Sequence, residues 1–275
     1  MQLLVSVRSV LEVAPALGGG ADIIDAKEPD RGSLGPVSPA TLAEILILVP
    51  AECPLSIALG DLASPGEAVA AIAALELPAR PAPTYLKLGF AGVRSPEIIA
   101  RILASAVAAV TDKGSSARVV AVAYADAARA GTLAPDVILA HARAAGAAGV
   151  LLDTHIKDGI GLLGWLSPSA LATWVTVARA QGLLTALAGT LTLESLEAVC
   201  SAGSDVVGVR GAACEGGRQG RVELARVRAL RQRLDAFGLH ATRDSARGSR
   251  TGGETRDGSA NPLPNIGRKL RKTNA

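Results

Sequence analysis

Aromatic residues are nearly absent: the 275 residues include two Phe, two Trp and two Tyr. A chain so poor in rings cannot build the stacking platforms that hold single-stranded nucleic acids, and its core must be aliphatic. Cysteine is also rare. Cys53, Cys200 and Cys214 stand at no metal-ligand spacing and make an odd set, so they are expected as small buried side chains in a reducing compartment. The histidines His141, His155 and His240 are too scattered to suggest a metal cluster. No stretch approaches the roughly 18 uninterrupted apolar residues of a membrane span. The amino terminus runs straight into a strand-like segment, without the charged start and apolar stretch of a signal peptide. These absences predict a cytoplasmic protein with no metal and with neither nucleic-acid nor membrane partners.

Lysine is scarce too, and that scarcity is informative. The chain carries 22 Arg against six Lys, so arginine serves wherever a generic surface charge will do. Lys269 and Lys272 lie near the carboxyl terminus and Lys113 follows a helical stretch. The other three stand at or just beyond the ends of strand-like runs: Asp25-Ala26-Lys27, Tyr85-Leu86-Lys87 and Asp153-Thr154-His155-Ile156-Lys157. Arginine cannot replace lysine where the group must lose a proton and attack a carbonyl. The formal net charge of +3 belongs to the last segment, since residues 1–237 hold 20 basic and 22 acidic residues.

What the sequence has in plenty is alternation between short aliphatic runs and longer helical stretches, the pattern of repeated βα units on a parallel sheet. The strand candidates are Gln2–Val7, Asp22–Lys27, Pro54–Gly60, Tyr85–Phe90, Val119–Tyr124, Gly149–Thr154, Leu184–Gly189 and Val206–Val209. Ser38-Pro39, Ser95-Pro96 and Ser167-Pro168 read as helix starts, and Gly146, Gly182 and Gly203 as helix ends. Eight such units in about 235 residues predict a closed (β/α)₈ TIM barrel. An open doubly wound sheet is the rival, but no Gly-x-Gly-x-x-Gly turn follows the first strand. The expected organisation is one barrel over residues 1–237 and a low-complexity, disordered basic tail over 238–275. A solvated tail is the plain reading of that segment and a basic arm for a partner the sharper one. Barrels commonly associate, so a homo-oligomer is expected.

In a barrel, the ends of strands two, four and six converge on the catalytic face, so Lys27, Lys87 and Lys157 can meet. Clustered ammonium groups repel one another, and burial acts in the same direction, so at least one is expected to be partly neutral and able to form a Schiff base. Asp25 and Asp153 can balance the remaining charge or shuttle protons. Asp25 and Lys27, two residues apart on a strand, face one side, and a simple ion pair between them is the plainer alternative. After strands seven and eight, Gly189, Thr190, Gly208, Gly211 and Ala212 suit a backbone phosphate cradle. Arg210 suits either a phosphate clamp or a rim salt bridge. The loop from Glu28 to Gly35 reads as a second phosphate contact, a lid or an ordinary crossover, and Tyr124 and Asp126 as polar wall residues. These residues leave open a Schiff-base synthase, a class I aldolase for another sugar phosphate, and a barrel that only binds a phosphorylated ligand.

Four blocks carry a resemblance: Gly20-Ala21-Asp22-Ile23-Ile24-Asp25-Ala26-Lys27-Glu28-Pro29; Gly32-Ser33-Leu34-Gly35; Leu151-Leu152-Asp153-Thr154 with Lys157-Asp158-Gly159; and Asp205-Val206-Val207-Gly208-Val209-Arg210-Gly211-Ala212-Ala213-Cys214. In order and over about residues 1–235, the chain resembles the (5-formylfuran-3-yl)methyl phosphate synthases of methanofuran biosynthesis. The resemblance implies a barrel lyase that joins two molecules of glyceraldehyde 3-phosphate and releases one phosphate and two waters. It also implies Lys27 as the Schiff-base lysine, Lys87 as proton acceptor, and Lys157, Asp25 and Asp153 as supporting groups. A protonated imine is itself the electron sink, so no cofactor is expected.

Overall fold

The computed structural model of the chain describes residues 1–248, with side chains as far as Gly238. Residues 1–238 form one compact unit. Eight parallel strands close on themselves in chain order: β1 (Gln2–Val7), β2 (Ile23–Ala26), β3 (Leu55–Asp61), β4 (Thr84–Gly89), β5 (Arg118–Tyr124), β6 (Gly149–Asp153), β7 (Leu184–Leu187) and β8 (Val206–Val209). Closure is made by β8 on β1, with Gln2 opposite Val206 and Val5 opposite Val209. The barrel is therefore the expected one, and the open sheet is excluded.

The helices are α1 (Val13–Gly18), α2 (Pro39–Leu48), α3 (Pro65–Ala73), α4 (Pro96–Asp112), α5 (Ala127–Ala130), α6 (Pro135–Ala144), α7 (Leu162–Trp165), α8 (Pro168–Ala180), α9 (Leu196–Cys200) and α10 (Leu224–Gly248). Ser38, Ser95 and Ser167 each accept a hydrogen bond from the amide three residues on, with proline at the first helical turn. Ser64 caps α3 in the same way. Gly146, Gly182 and Gly203 adopt φ of 76°, 77° and 77° where helices end, a conformation open to glycine at little cost. The change of composition at residue 238 does not end α10, which runs on to Gly248. Of the tail expected over 238–275, residues 249–275 lie outside the described residues.

Each strand is buried on both faces, and its alternate residues belong to two different cores. Leu3, Val5 and Val7 of β1, Ile24 and Ala26 of β2, and Leu86 and Leu88 of β4 join the layer between strands and helices. Ile23, Ala58, Val120, Val122, Leu151, Ala186 and Val206 form a separate cluster within the barrel, with Leu4 and Tyr85 against it. Beside these, Ser6, Ser56, Ala188 and Gly208 are too small to fill the interior. A cavity of about 550 Å³ remains, lined by these four residues and by Asp25, Lys27, Lys87, Asp153 and Lys157.

At the end of β3 the pairing with β4 slips between Ala58 and Asp61, and Gly60 takes φ of 96° there. Asp61 thereby meets the end of β4, where a Cβ at Gly89 would lie 2.3 Å from Asp61 Oδ1. Only glycine fits beside that carboxylate.

Replacing Ser167 by Ala leaves the α8 amide of Ala170 without its side-chain acceptor. It should cost about 1 kcal/mol, read as a fall in Tm of roughly 2–4 °C in a domain of this size.

Candidate active site

Asp25 and Lys27 lie two apart at the carboxyl end of β2, and both face the cavity, as strand periodicity requires. Lys87 of β4 and Asp153 of β6 also reach it, with Lys157 from the loop after β6. The expected convergence of the three lysines is therefore present. Their pairing differs from the simplest expectation. Asp25 does not pair with Lys27: its Oδ1 lies 2.7 Å from Lys87 Nζ, and its Oδ2 accepts a 2.7 Å bond from Ser6 Oγ. Lys157 Nζ donates to Asp153 Oδ1 at 2.7 Å and to Thr154 Oγ1 at 3.1 Å. Lys27, 6% exposed, makes no side-chain hydrogen bond or ion pair among the described residues.

Burial is the main force on Lys27 and lowers its pKa to about 7. Asp153 and Asp25 oppose the shift, while the charges of Arg218 and Lys157 assist it. Repulsion among cations is thus present but secondary. Burial would raise the carboxyls of Asp25 and Asp153, but the ammonium groups beside them outweigh it and hold both below their ordinary values. Lys87 and Lys27 act on Asp25, and Lys157 and Lys27 on Asp153. The result is two carboxylate–ammonium pairs flanking one amine that is half neutral near pH 7.

Gly189, Thr190, Gly208, Gly211 and Ala212 all line the cavity. Thr190 adopts φ of 50°, the one positive value among the described non-glycine residues, a strained state for a β-branched side chain and one that gathers at functional loops. Arg210 lines the cavity as well, but its donors are engaged within the protein. Its guanidinium is buried against Glu12, at 2.5 Å and 3.1 Å, and also donates to the carbonyls of Ser6, Gly220 and Arg218. All five donors are used, so it is the rim salt bridge and has nothing left with which to clamp a phosphate.

Tyr124 and Asp126 stand behind the wall. Tyr124 is fully buried, donates to Asp61 Oδ1 at 2.7 Å and lies 3.1 Å from Ser33 Oγ. Asp126 accepts from the amides of His155 and Ile156 and so holds the loop that carries Lys157. The loop after β2 is anchored at several points: Ser33 and Leu34 are buried, and Glu28 and Asp30 pair with Arg8. Sequence reasoning missed Ser6, Asp61 and Arg218. Arg218 lines the cavity from the loop after β8 and bonds to carbonyls of the β2 loop. One arginine among 22 carried no signal. Cys200 and Cys214 are buried as expected, whereas Cys53 is half-buried; all three are free thiols. Among the described residues no helix is long and apolar enough to cross a membrane.

A profile described as 4-HFC-P synthase matches residues 3–231, nearly the whole barrel. The chain belongs to the 4-HFC-P synthase family. Curated members named (5-formylfuran-3-yl)methyl phosphate synthase include one from Methanothermobacter thermautotrophicus, 39% identical over 241 residues, covering 86% of this chain and 100% of that protein. Another, from Methanocaldococcus jannaschii, is 39% identical over 236 residues, covering 84% and 99%. Among solved structures, phosphoribosyl anthranilate isomerase from Thermus thermophilus superposes with a TM-score of 0.55 at 16% identity, over 86% of this chain and all of that one. At that identity it shows the barrel alone. Membership in the synthase family makes the chain an enzyme of furan phosphate synthesis, with its candidate site in the barrel cavity.

Removing one partner of the Arg210–Glu12 pair strands a buried charge. Glu12→Ala should cost roughly 3–5 kcal/mol, measured by urea denaturation.

Proposed function

We propose that this protein condenses two molecules of glyceraldehyde 3-phosphate into (5-formylfuran-3-yl)methyl phosphate, releasing one phosphate and two waters, through a Schiff base on Lys27 in a methanofuran-type pathway. The observation that carries this reading is the contrast among the lysines. Lys27 is buried and unpaired among the described residues, with its pKa lowered to about 7, whereas Lys87 and Lys157 each hold a carboxylate.

The neutral Lys27 amine adds to the aldehyde carbon of one triose phosphate, and water leaves as the imine forms. The protonated imine draws electrons from the adjacent carbon, whose hydrogen becomes acidic. Lys87, held beside Asp25 at 2.7 Å, is the base that takes that hydrogen. The resulting enamine either expels phosphate from the neighbouring carbon or attacks the aldehyde of the second triose phosphate. Lys157, hydrogen-bonded to Asp153, protonates departing hydroxyls during the dehydrations. Gly189, Thr190, Gly208, Gly211 and Ala212 supply the phosphate cradle. The family membership and the curated names support the product, and the cavity chemistry supports the imine.

Incubating the protein with glyceraldehyde 3-phosphate alone should yield a furaldehyde absorbance and a mass of two substrates less phosphate and two waters. Lys27→Arg keeps charge without an attacking amine and should lower turnover by about 10³-fold or more; near-normal turnover would refute the assignment. A borohydride-trapped adduct without furan would favour the class I aldolase, and neither adduct nor product a binding barrel. With Lys27 neutral above its pKa and protonated below it, the rate of imine trapping should fall about tenfold from pH 8 to pH 6.

A further inference from the structure

Cations outnumber anions on the inner wall of the cavity. Lys27, Lys87, Lys157 and Arg218 face Asp25, Asp153 and Glu194, while Arg210 and Arg226, also on the lining, are paired with Glu12 and Glu223. Charge held in an aliphatic enclosure calls for a counter-charge. Two of the lysines already have one. Arg218 does not: it has no carboxylate within ion-pair distance among the described residues.

The placement of Arg218 is specific. Its Nη2 donates to the Gly32 carbonyl at 2.7 Å and lies 3.4 Å from that of Pro29, both in the loop that follows Lys27. Its Nε and Nη1 make no hydrogen bond among the described residues. Its backbone rests on the cradle, since a Cβ at Gly211 would lie 3.5 Å from Arg218 N. Arg210, whose other donors grip Glu12 and nearby carbonyls, gives its Nε to the Arg218 carbonyl at 3.1 Å. The buried arginine thus positions the accessible one. Arg218 is half-buried, so an anion it binds loses much of the competing water, and it acts on Lys27 electrostatically.

Building on the proposed reaction, we infer that Arg218 is the phosphate-recognition residue of this site: with Gly211 and Ala212 it binds the phosphomonoester end of the aldehyde whose carbonyl reaches Lys27. Its hydrogen bonds to Gly32 and Pro29 join the filled anion site to the loop beside the attacking amine. Phosphorylated aldehydes are thereby selected over unphosphorylated ones, and Arg210 acts as a positioning residue.

Two measurements on the full chain decide this. Titration with inorganic phosphate at low salt should show binding that Arg218→Ala weakens about 10- to 100-fold, the loss of a charge-assisted pair. Arg218→Gln, neutral but still able to donate to a carbonyl, serves if the alanine variant does not fold. Equal phosphate binding by wild type and variant, or none by either, would overturn the inference. The second measurement is the half-saturating concentration for borohydride trapping. It should rise about tenfold or more for glyceraldehyde 3-phosphate in the variant and much less for glyceraldehyde, which loses only the effect of Arg218 on the Lys27 charge. An equal loss on both aldehydes would mean that Arg218 only braces the β2 loop, and would also overturn it. Absence of furan product with these responses intact would refute the proposed condensation and leave the phosphate site standing.

Discussion

Putting ionised groups inside an aliphatic barrel is the constraint around which this molecule is arranged. An ammonium or carboxylate removed from water is stable only with a partner close by. The barrel mouth gathers three lysines and two aspartates on a wall in which Leu, Val, Ile and Ala are prominent. Asp25 and Asp153 have each taken one lysine, at 2.7 Å in both cases. The third cannot be satisfied in the same way, and its charge is weakened instead. The lowered pKa of Lys27 thus follows from burial without a carboxylate in ion-pair contact.

The same constraint operates at the rim, with the opposite outcome. Arg210 and Glu12 are both buried, but here the balance is complete: two carboxylate oxygens and three backbone carbonyls take every donor of the guanidinium. Glu12 also accepts from the amide of Arg8. The pair holds the loops after β1 and β8 together across the seam where the barrel closes. Such a fully satisfied network is rigid, and rigidity there keeps the cavity loops in place.

Around the opposite side of the mouth, Asp61, Tyr124 and Ser33 form a polar layer behind the cavity, with the His155 ring edge-on to Tyr124 at 5.0 Å. Ser33 belongs to the β2 loop, Asp61 to the bulged end of β3 and Tyr124 to β5, so the layer ties three rim segments to one another. The fold itself is shared with barrels of other chemistry at 16% identity. Function therefore resides in which side chains the strand ends present and how these pair.

Much of this is legible in the sequence. Buried parallel strands need short aliphatic runs, and helices need caps, so strand ends fall within about two residues of expectation; chains fold locally as their patterns dictate. Lysine stands out because arginine has displaced it elsewhere, and that contrast singles out Lys27, Lys87 and Lys157 by composition and position. The arginines give no comparable contrast, and the roles of Arg210 and Arg218 cannot be separated in the same way. Nor does the sequence say which aspartate takes which lysine. Asp25 lies two residues from Lys27 but pairs with Lys87, 62 positions away in the chain, because the geometry of barrel closure, rather than nearness along a strand, sets the distance between charged ends. The sequence by itself determined the barrel, its strand ends and the residue types at its mouth, since these follow from local pattern. Only the tertiary structure decided which amine would be left without a partner and which arginine would be spent on the rim, because burial and pairing are properties of segments far apart in the chain.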